Sequence, residues 1–75
     1  MADASLDARG LNCPLPVLKA KKAMRPLAGG EVLEVLATDP GSVPDFEAFC
    51  DATGYELVET GEDNGVFRFL IRKTA

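Results

Sequence analysis

The sequence predicts a small α/β (α+β) domain, a two-layer sandwich with two helices packed on one face of a four-stranded mixed sheet. Three observations predict it. Short apolar runs of strand character and two helical periodicities follow one another in the order βαβαββ. Gly or Pro punctuation bounds nearly every run. The 75 residues leave room for a single pair of layers around one core. One domain over residues 1–75 is therefore expected, burying only about 60% of the surface its unfolded chain exposes.

Ser5 to Arg9 alternates, with Leu6 and Ala8 on one side and Asp7 and Arg9 on the other. It reads as a short strand ended by Gly10. The first helix follows. Pro14 fits the first helical position, where its missing N–H would find no partner anyway, which makes Cys13 the expected N-cap. Pro16 still lies in the first turn and sacrifices no internal hydrogen bond. The helix should run to about Arg25, stop near Pro26 and leave through Gly29-Gly30. At about 100° per residue, Pro16, Val17, Ala20, Ala23, Met24 and Leu27 share the core-facing arc. Lys19, Lys21, Lys22 and Arg25 take the opposite side, and Leu15 and Leu18 fall among them. Two readings stand for these leucines: they tuck under a loop, or they form a docking surface ringed by basic groups.

Glu31 to Thr38 is dense enough in apolar residues to be a central strand. Asp39-Pro40-Gly41 turns the chain, and Ser42-Val43-Pro44-Asp45 has the form of a capping box, Ser42 accepting the Asp45 N–H. The second helix continues to about Thr53, with Gly54 at its C-terminus. Val43, Phe46, Phe49, Cys50 and Thr53 follow helical spacing, which makes Cys50 a core cysteine. Tyr55 to Thr60 and Val66 to Lys73 are the third and fourth strands, joined by a loop over Gly61-Glu62-Asp63-Asn64-Gly65. In the last strand Phe67, Phe69 and Ile71 form the core face, and Arg68, Leu70 and Arg72 the wetter one.

Composition narrows the function. Hydrophobic residues make up 47% and charged residues 27%, ordinary for a globular protein. No apolar run approaches the roughly 18 residues that span a bilayer. The acidic N-terminus lacks the apolar stretch of a signal peptide, so a cytoplasmic protein is expected. Net charge is −4, which disfavours direct binding to nucleic acid. The distribution matters more. All ten acids after Arg25 precede Arg68, while four of the eight basic residues crowd into residues 19–25. A local basic patch of that kind suits an acidic protein partner.

The chain has no histidine and two cysteines. A metal site is therefore not expected, and neither Ser-His nor Cys-His catalysis is available. Cys13 and Cys50 form no Cys-x-x-Cys pair and read as thiols. Only a thiolate attacks sulfur or carbon, and a helix N-terminus or a nearby cation favours that form. Cys13 has the first by position, and Arg9 or a basic side chain of the helix could supply the second. With no base and no resolving thiol beside it, such a group suits accepting a group and passing it on. The structural alternative is a cysteine that only caps its helix.

The run Leu6-Asp7-Ala8-Arg9-Gly10-Leu11-Asn12-Cys13-Pro14-Leu15-Pro16 resembles the signature of the TusA (SirA-like) sulfur-carrier family, Cys-Pro-x-Pro at the start of the first helix. The resemblance extends to Ala37-Thr38-Asp39-Pro40, to Phe49-Cys50 and to the closing Phe69-Leu70-Ile71-Arg72-Lys73. It implies a βαβαββ sandwich in the cytoplasm whose Cys13 carries sulfane sulfur as a persulfide, with Gly10, Pro14 and Pro16 completing the motif and no cofactor. It further implies protein donors (a cysteine desulfurase or a rhodanese) and protein acceptors of the DsrE type. The pathways implied are dissimilatory sulfur oxidation, tRNA 2-thiouridine synthesis or the supply of molybdenum-cofactor enzymes. Leu15, where tRNA-thiolation members carry an acid, resembles the sulfur-oxidation form. Partner docking is expected at Leu15, Leu18, Lys19, Lys21, Lys22, Arg25 and Asp39, on a monomer. Two other functions compete. One is a non-catalytic interaction or regulatory module, and the other a redox sensor that pairs Cys13 with Cys50.

Overall fold

The computed structural model describes residues 2–12 and 15–74. Its elements are β1 (Ala4–Ala8), α1 (Leu15–Met24), β2 (Val32–Ala37), α2 (Ser42–Thr53), β3 (Glu56–Asp63) and β4 (Val66–Arg72), in the predicted order. The sheet order is β1-β2-β4-β3. β1 runs parallel to β2, and β4 is antiparallel to both of its neighbours. β2 thus has the central place its apolar density predicts. Leu33, Val35 and Ala37 are fully buried beneath the helices, alternating with Val32, Glu34 and Leu36 on the open face.

Both helices cover the same face. Pro16, Ala20 and Met24 are the buried residues of α1, and Val17, Ala23 and Leu27 pack beside them, the arc that helical spacing predicts. On α2, Phe46, Phe49 and Cys50 are buried. Phe46 stacks on Phe69 of β4 with ring centroids 4.5 Å apart, and meets Phe49 edge-on at 6.3 Å. This aromatic cluster joins α2 to the sheet.

The far end of α1 is closed by the chain's last strand. Lys73 Nζ donates to the carbonyls of Met24 (3.0 Å), Arg25 (3.2 Å) and Leu27 (2.8 Å). These carbonyls lie at and just beyond the C-terminus of α1, where the Met24 carbonyl also accepts the Leu27 N–H at 3.1 Å, and a cation there suits the helix dipole.

Two local expectations need correction. The capping box at Ser42 is absent, because the turn into α2 begins earlier, at Asp39-Pro40. The Gly41 N–H donates to Asp39 Oδ1 (3.0 Å) and the Ser42 N–H to the Asp39 carbonyl (2.9 Å). Ser42 therefore sits inside the helix, where its hydroxyl bonds back to the Asp39 carbonyl at 2.6 Å, as serines beyond a cap do. The Asp45 N–H goes to the Gly41 carbonyl at 3.4 Å. At the other end Gly54 takes φ 84° and donates to the Cys50 carbonyl, as expected.

The second correction is the hairpin. Gly61, Glu62 and Asp63 belong to β3 and pair with Arg68, Phe67 and Val66. The turn contracts to Asn64-Gly65, with φ 52° and 82°, the positive pair that a type I′ turn requires. β3 carries a bulge between Leu57 and Glu59, and with four acids on an edge strand it resists pairing with another chain.

The open face of the sheet carries a lattice of ion pairs. Arg68 bonds Glu34 (2.5 Å) and Glu59 (2.8 Å), and Arg72 bonds Glu56. These side chains are largely exposed, so water and salt screen each pair and its contribution to stability is small. In register, Arg68 stands beside the half-buried Leu36 and Glu34 beside the half-buried Leu70.

Candidate functional site

The parallel strands finish side by side. Ala8 and Ala37 are their last register pair, both fully buried, so the segments that follow leave from the same end of the sheet. The first leads toward Cys13. Gly10 there adopts φ +81°, and a Cβ built on it would meet nothing within 4 Å. Its need for glycine is conformational rather than spatial. The Gly10 N–H donates to Thr38 Oγ1 at 2.8 Å, and the Leu11 N–H to the Ala8 carbonyl at 3.3 Å. On the helix side, the Leu15 N–H donates to the Asn12 carbonyl at 2.8 Å. Cys13 and Pro14, the predicted cap and first helical residue, lie outside the described residues, and so does any pairing of Cys13 with Cys50. Pro16 is buried in the first described turn of α1.

Of the two cation sources expected near the thiol, Arg9 is already committed. Its Nε and Nη2 donate to Asp7 Oδ1 (2.9 Å) and Oδ2 (3.0 Å), a bidentate pair. The Arg9 side chain, and secondarily its backbone N–H, hold the Asp7 carboxyl down from 3.8 to about 2. The basic side chains of α1 remain as the other source.

Those side chains form a second feature. Leu15, Leu18, Lys19, Lys21, Lys22 and Arg25 line one groove of about 420 Å³. Leu15 is 45% and Leu18 50% exposed, so neither tucks under a loop. The six residues expected to dock a partner thus share one surface. Asp39, the seventh, is not among the groove's lining; it stands at the carboxyl end of β2, with one carboxylate oxygen accepting the Gly41 N–H.

Cys50 is a free, buried thiol. It is 6% exposed among core residues, and burial pushes its thiol up from 9.0 to about 11. The linked effect has a definite sign. The folded chain holds this proton to higher pH than the unfolded one, so the stabilisation is whole below about pH 9 and is lost as pH climbs toward about 11. Chemical denaturation across that range is expected to show wild type losing stability more steeply than Cys50→Ala. Parallel profiles would show that Cys50 does not titrate late.

Among the described residues, no group of three or more His, Cys, Asp or Glu side chains could hold a metal ion. No helix among them is long and apolar enough to cross a membrane. Thr38 and Lys73 have structural roles that sequence patterns miss, because each acts on backbone far along the chain: 28 positions for Thr38 and 46 to 49 for Lys73.

A family model described as Sulfurtransferase TusA matches residues 4–73. The chain belongs to the TusA family. Its similarity to TusA relatives runs nearly end to end. It is 58% identical to the sulfur carrier protein TusA of Allochromatium vinosum, over 96% of this chain and 95% of the relative. It is 49% identical to the TusA of Pseudomonas putida, over 97% of this chain and 91% of that one. The crystal structure of a SirA-like protein from Desulfitobacterium hafniense superposes with a TM-score of 0.83 at 34% identity, covering 96% of this chain and 99% of the other. The TusA fold is therefore the two-layer sandwich described above.

Proposed function

We propose that the chain is a single sulfur-carrier domain, residues 1–75, that accepts sulfane sulfur as a persulfide on Cys13 and passes it to a partner protein's thiol. The observation that carries this reading is the 58% identity, over 96% of the chain, to a sulfur carrier protein. The chain's own chemistry supports the choice of atom. It has no imidazole and two thiols, and one of these, Cys50, is buried and retains its proton to about 11. The Cys13 thiolate attacks the outer sulfur of a donor persulfide. A new S–S bond forms, and the donor's cysteine leaves as a thiolate. The acceptor thiolate then repeats the attack on the outer sulfur of Cys13, which returns as a thiolate. Each step exchanges one S–S bond for another, with no outside oxidant.

A cysteine desulfurase or a rhodanese fits the donor, and a DsrE-type protein the acceptor, in the cytoplasm. Leu15 favours sulfur oxidation over tRNA thiolation as the pathway. To test the carrier reading, the protein is incubated with a cysteine desulfurase and cysteine, or with a rhodanese and thiosulfate, and its intact mass and peptides are measured. One added sulfur atom on the Cys13 peptide is expected. No adduct would end the reading, and an adduct on Cys50 would end its assignment to Cys13.

The basic groove bearing Leu15 and Leu18 is the docking surface in this reading, together with the Asp39 turn. Its charge suits an acidic partner and should act mainly on the rate of encounter. A Lys21→Glu/Arg25→Glu double variant is expected to slow loading about tenfold or more at low salt, the gap shrinking as salt rises. Rates unchanged from wild type at low salt would remove the groove from the encounter.

A further inference from the structure

We infer that Thr38 is a positioning residue for the sulfur-carrying cysteine, acting through the backbone of Gly10; the inference rests on the carrier reading of Cys13. The geometry is specific. Thr38 follows directly on the last residue of β2, and its Oγ1 accepts the Gly10 N–H at 2.8 Å across 28 positions of sequence. Gly10 sits in the left-handed region at φ +81°, where the chain turns out of β1 toward Cys13. The neighbouring Leu11 N–H returns to Ala8 at 3.3 Å. Two successive amides therefore tie the start of this segment to the ends of two parallel strands, whose last residues Ala8 and Ala37 are buried. One tie is to backbone. The other is to a side chain, and only that one can be removed by substitution.

Thr38 and Gly10 are both exposed. In such a place water can replace a lost acceptor with little change in stability. Water cannot replace its position. A freed Gly10 amide would let the segment sample other directions, and reactivity at a group so close in sequence falls steeply with misplacement. The adjacent Asp39 side chain is used differently, on the Gly41 N–H at the head of α2. The turn between β2 and α2 thus contacts both segments that leave this end of the sheet, Thr38 through the Gly10 N–H and Asp39 through the Gly41 N–H.

Thr38→Val keeps the shape and removes the acceptor, whereas Thr38→Ser keeps the acceptor. The rate of Cys13 alkylation by iodoacetamide is followed against pH by peptide mass, together with sulfur loading and the thermal midpoint. Thr38→Val is expected to react about three- to tenfold more slowly at neutral pH, with its pH profile moved toward that of an ordinary thiol near about 8.5, and to keep nearly the parent midpoint. Thr38→Ser should restore both rate and profile. A valine variant that matches wild type, or a serine variant that fails to rescue, overturns the assignment. Because alkylation reads the thiol without any sulfur donor, a wild type that alkylates but never loads sulfur would sink the carrier reading while the Thr38 comparison still stands or falls by itself.

Discussion

A Cys13→Ser protein is expected to fold as its parent does and to take up no sulfur at all. Serine is among the preferred residues at a helix N-cap, the place the sequence predicts for Cys13, so the change should cost less than about 1 kcal/mol. Its hydroxyl cannot form a persulfide, so the intact-mass adduct should vanish. Cys50→Ser should do the reverse. Position 50 is walled by core residues and 6% exposed, and a hydroxyl brought there loses water. The cost is about 1–3 kcal/mol if it stays unpaired, and less if it bonds back to the Phe46 carbonyl one turn earlier. Loading on Cys13 should continue unchanged. One substitution removes transfer and spares the fold, and the other weakens the fold and spares transfer. Sulfur uptake by Cys13→Ser would defeat the carrier reading. Full cellular function in that variant would favour the interaction module in which Cys13 is only a cap.

What could be read from sequence, and what could not, divides along the range of the interactions. Burial repeats along an element, so the core arc of α1 and the aromatic stripe of α2 were legible from spacing, and the central place of β2 from its apolar density. Gly54 was legible because a left-handed residue must end the helix. The start of α2 was misread because Ser-x-x-Asp matches a capping pattern, whereas Pro40 already directs the turn two residues upstream. The hairpin was misread although its signal was present: Asn64-Gly65 is a strong type I′ pair, but Gly61 and two acids before it suggested a longer loop. At the site, the basic face of α1 was legible from helical phase, but the exposure of Leu15 and Leu18 was not, since spacing alone left open whether a loop covers them. The Gly10–Thr38 hydrogen bond was not, since a threonine after a strand carries no local sign of the amide it will meet 28 positions away.

Phe46→Ala is expected to be the most damaging single change outside the functional segment. Phe46 is fully buried and holds two aromatic contacts, Phe69 of β4 at 4.5 Å and Phe49 at 6.3 Å. Alanine would remove the contact by which α2 stacks on the sheet and leave a cavity that neighbouring strands cannot easily fill. The loss for such a change is about 3–5 kcal/mol. A domain of 75 residues has only about 4–11 kcal/mol in all. The thermal midpoint should drop by at least about 12 °C. Phe46→Leu, which keeps most of the volume, should cost much less. Leu18→Ala, at a residue half exposed on α1, should stay within about 0.5 kcal/mol. That ordering separates core from docking surface by calorimetry alone. A Phe46→Ala loss no greater than that of Leu18→Ala would mean that the aromatic cluster does not bind α2 to the sheet.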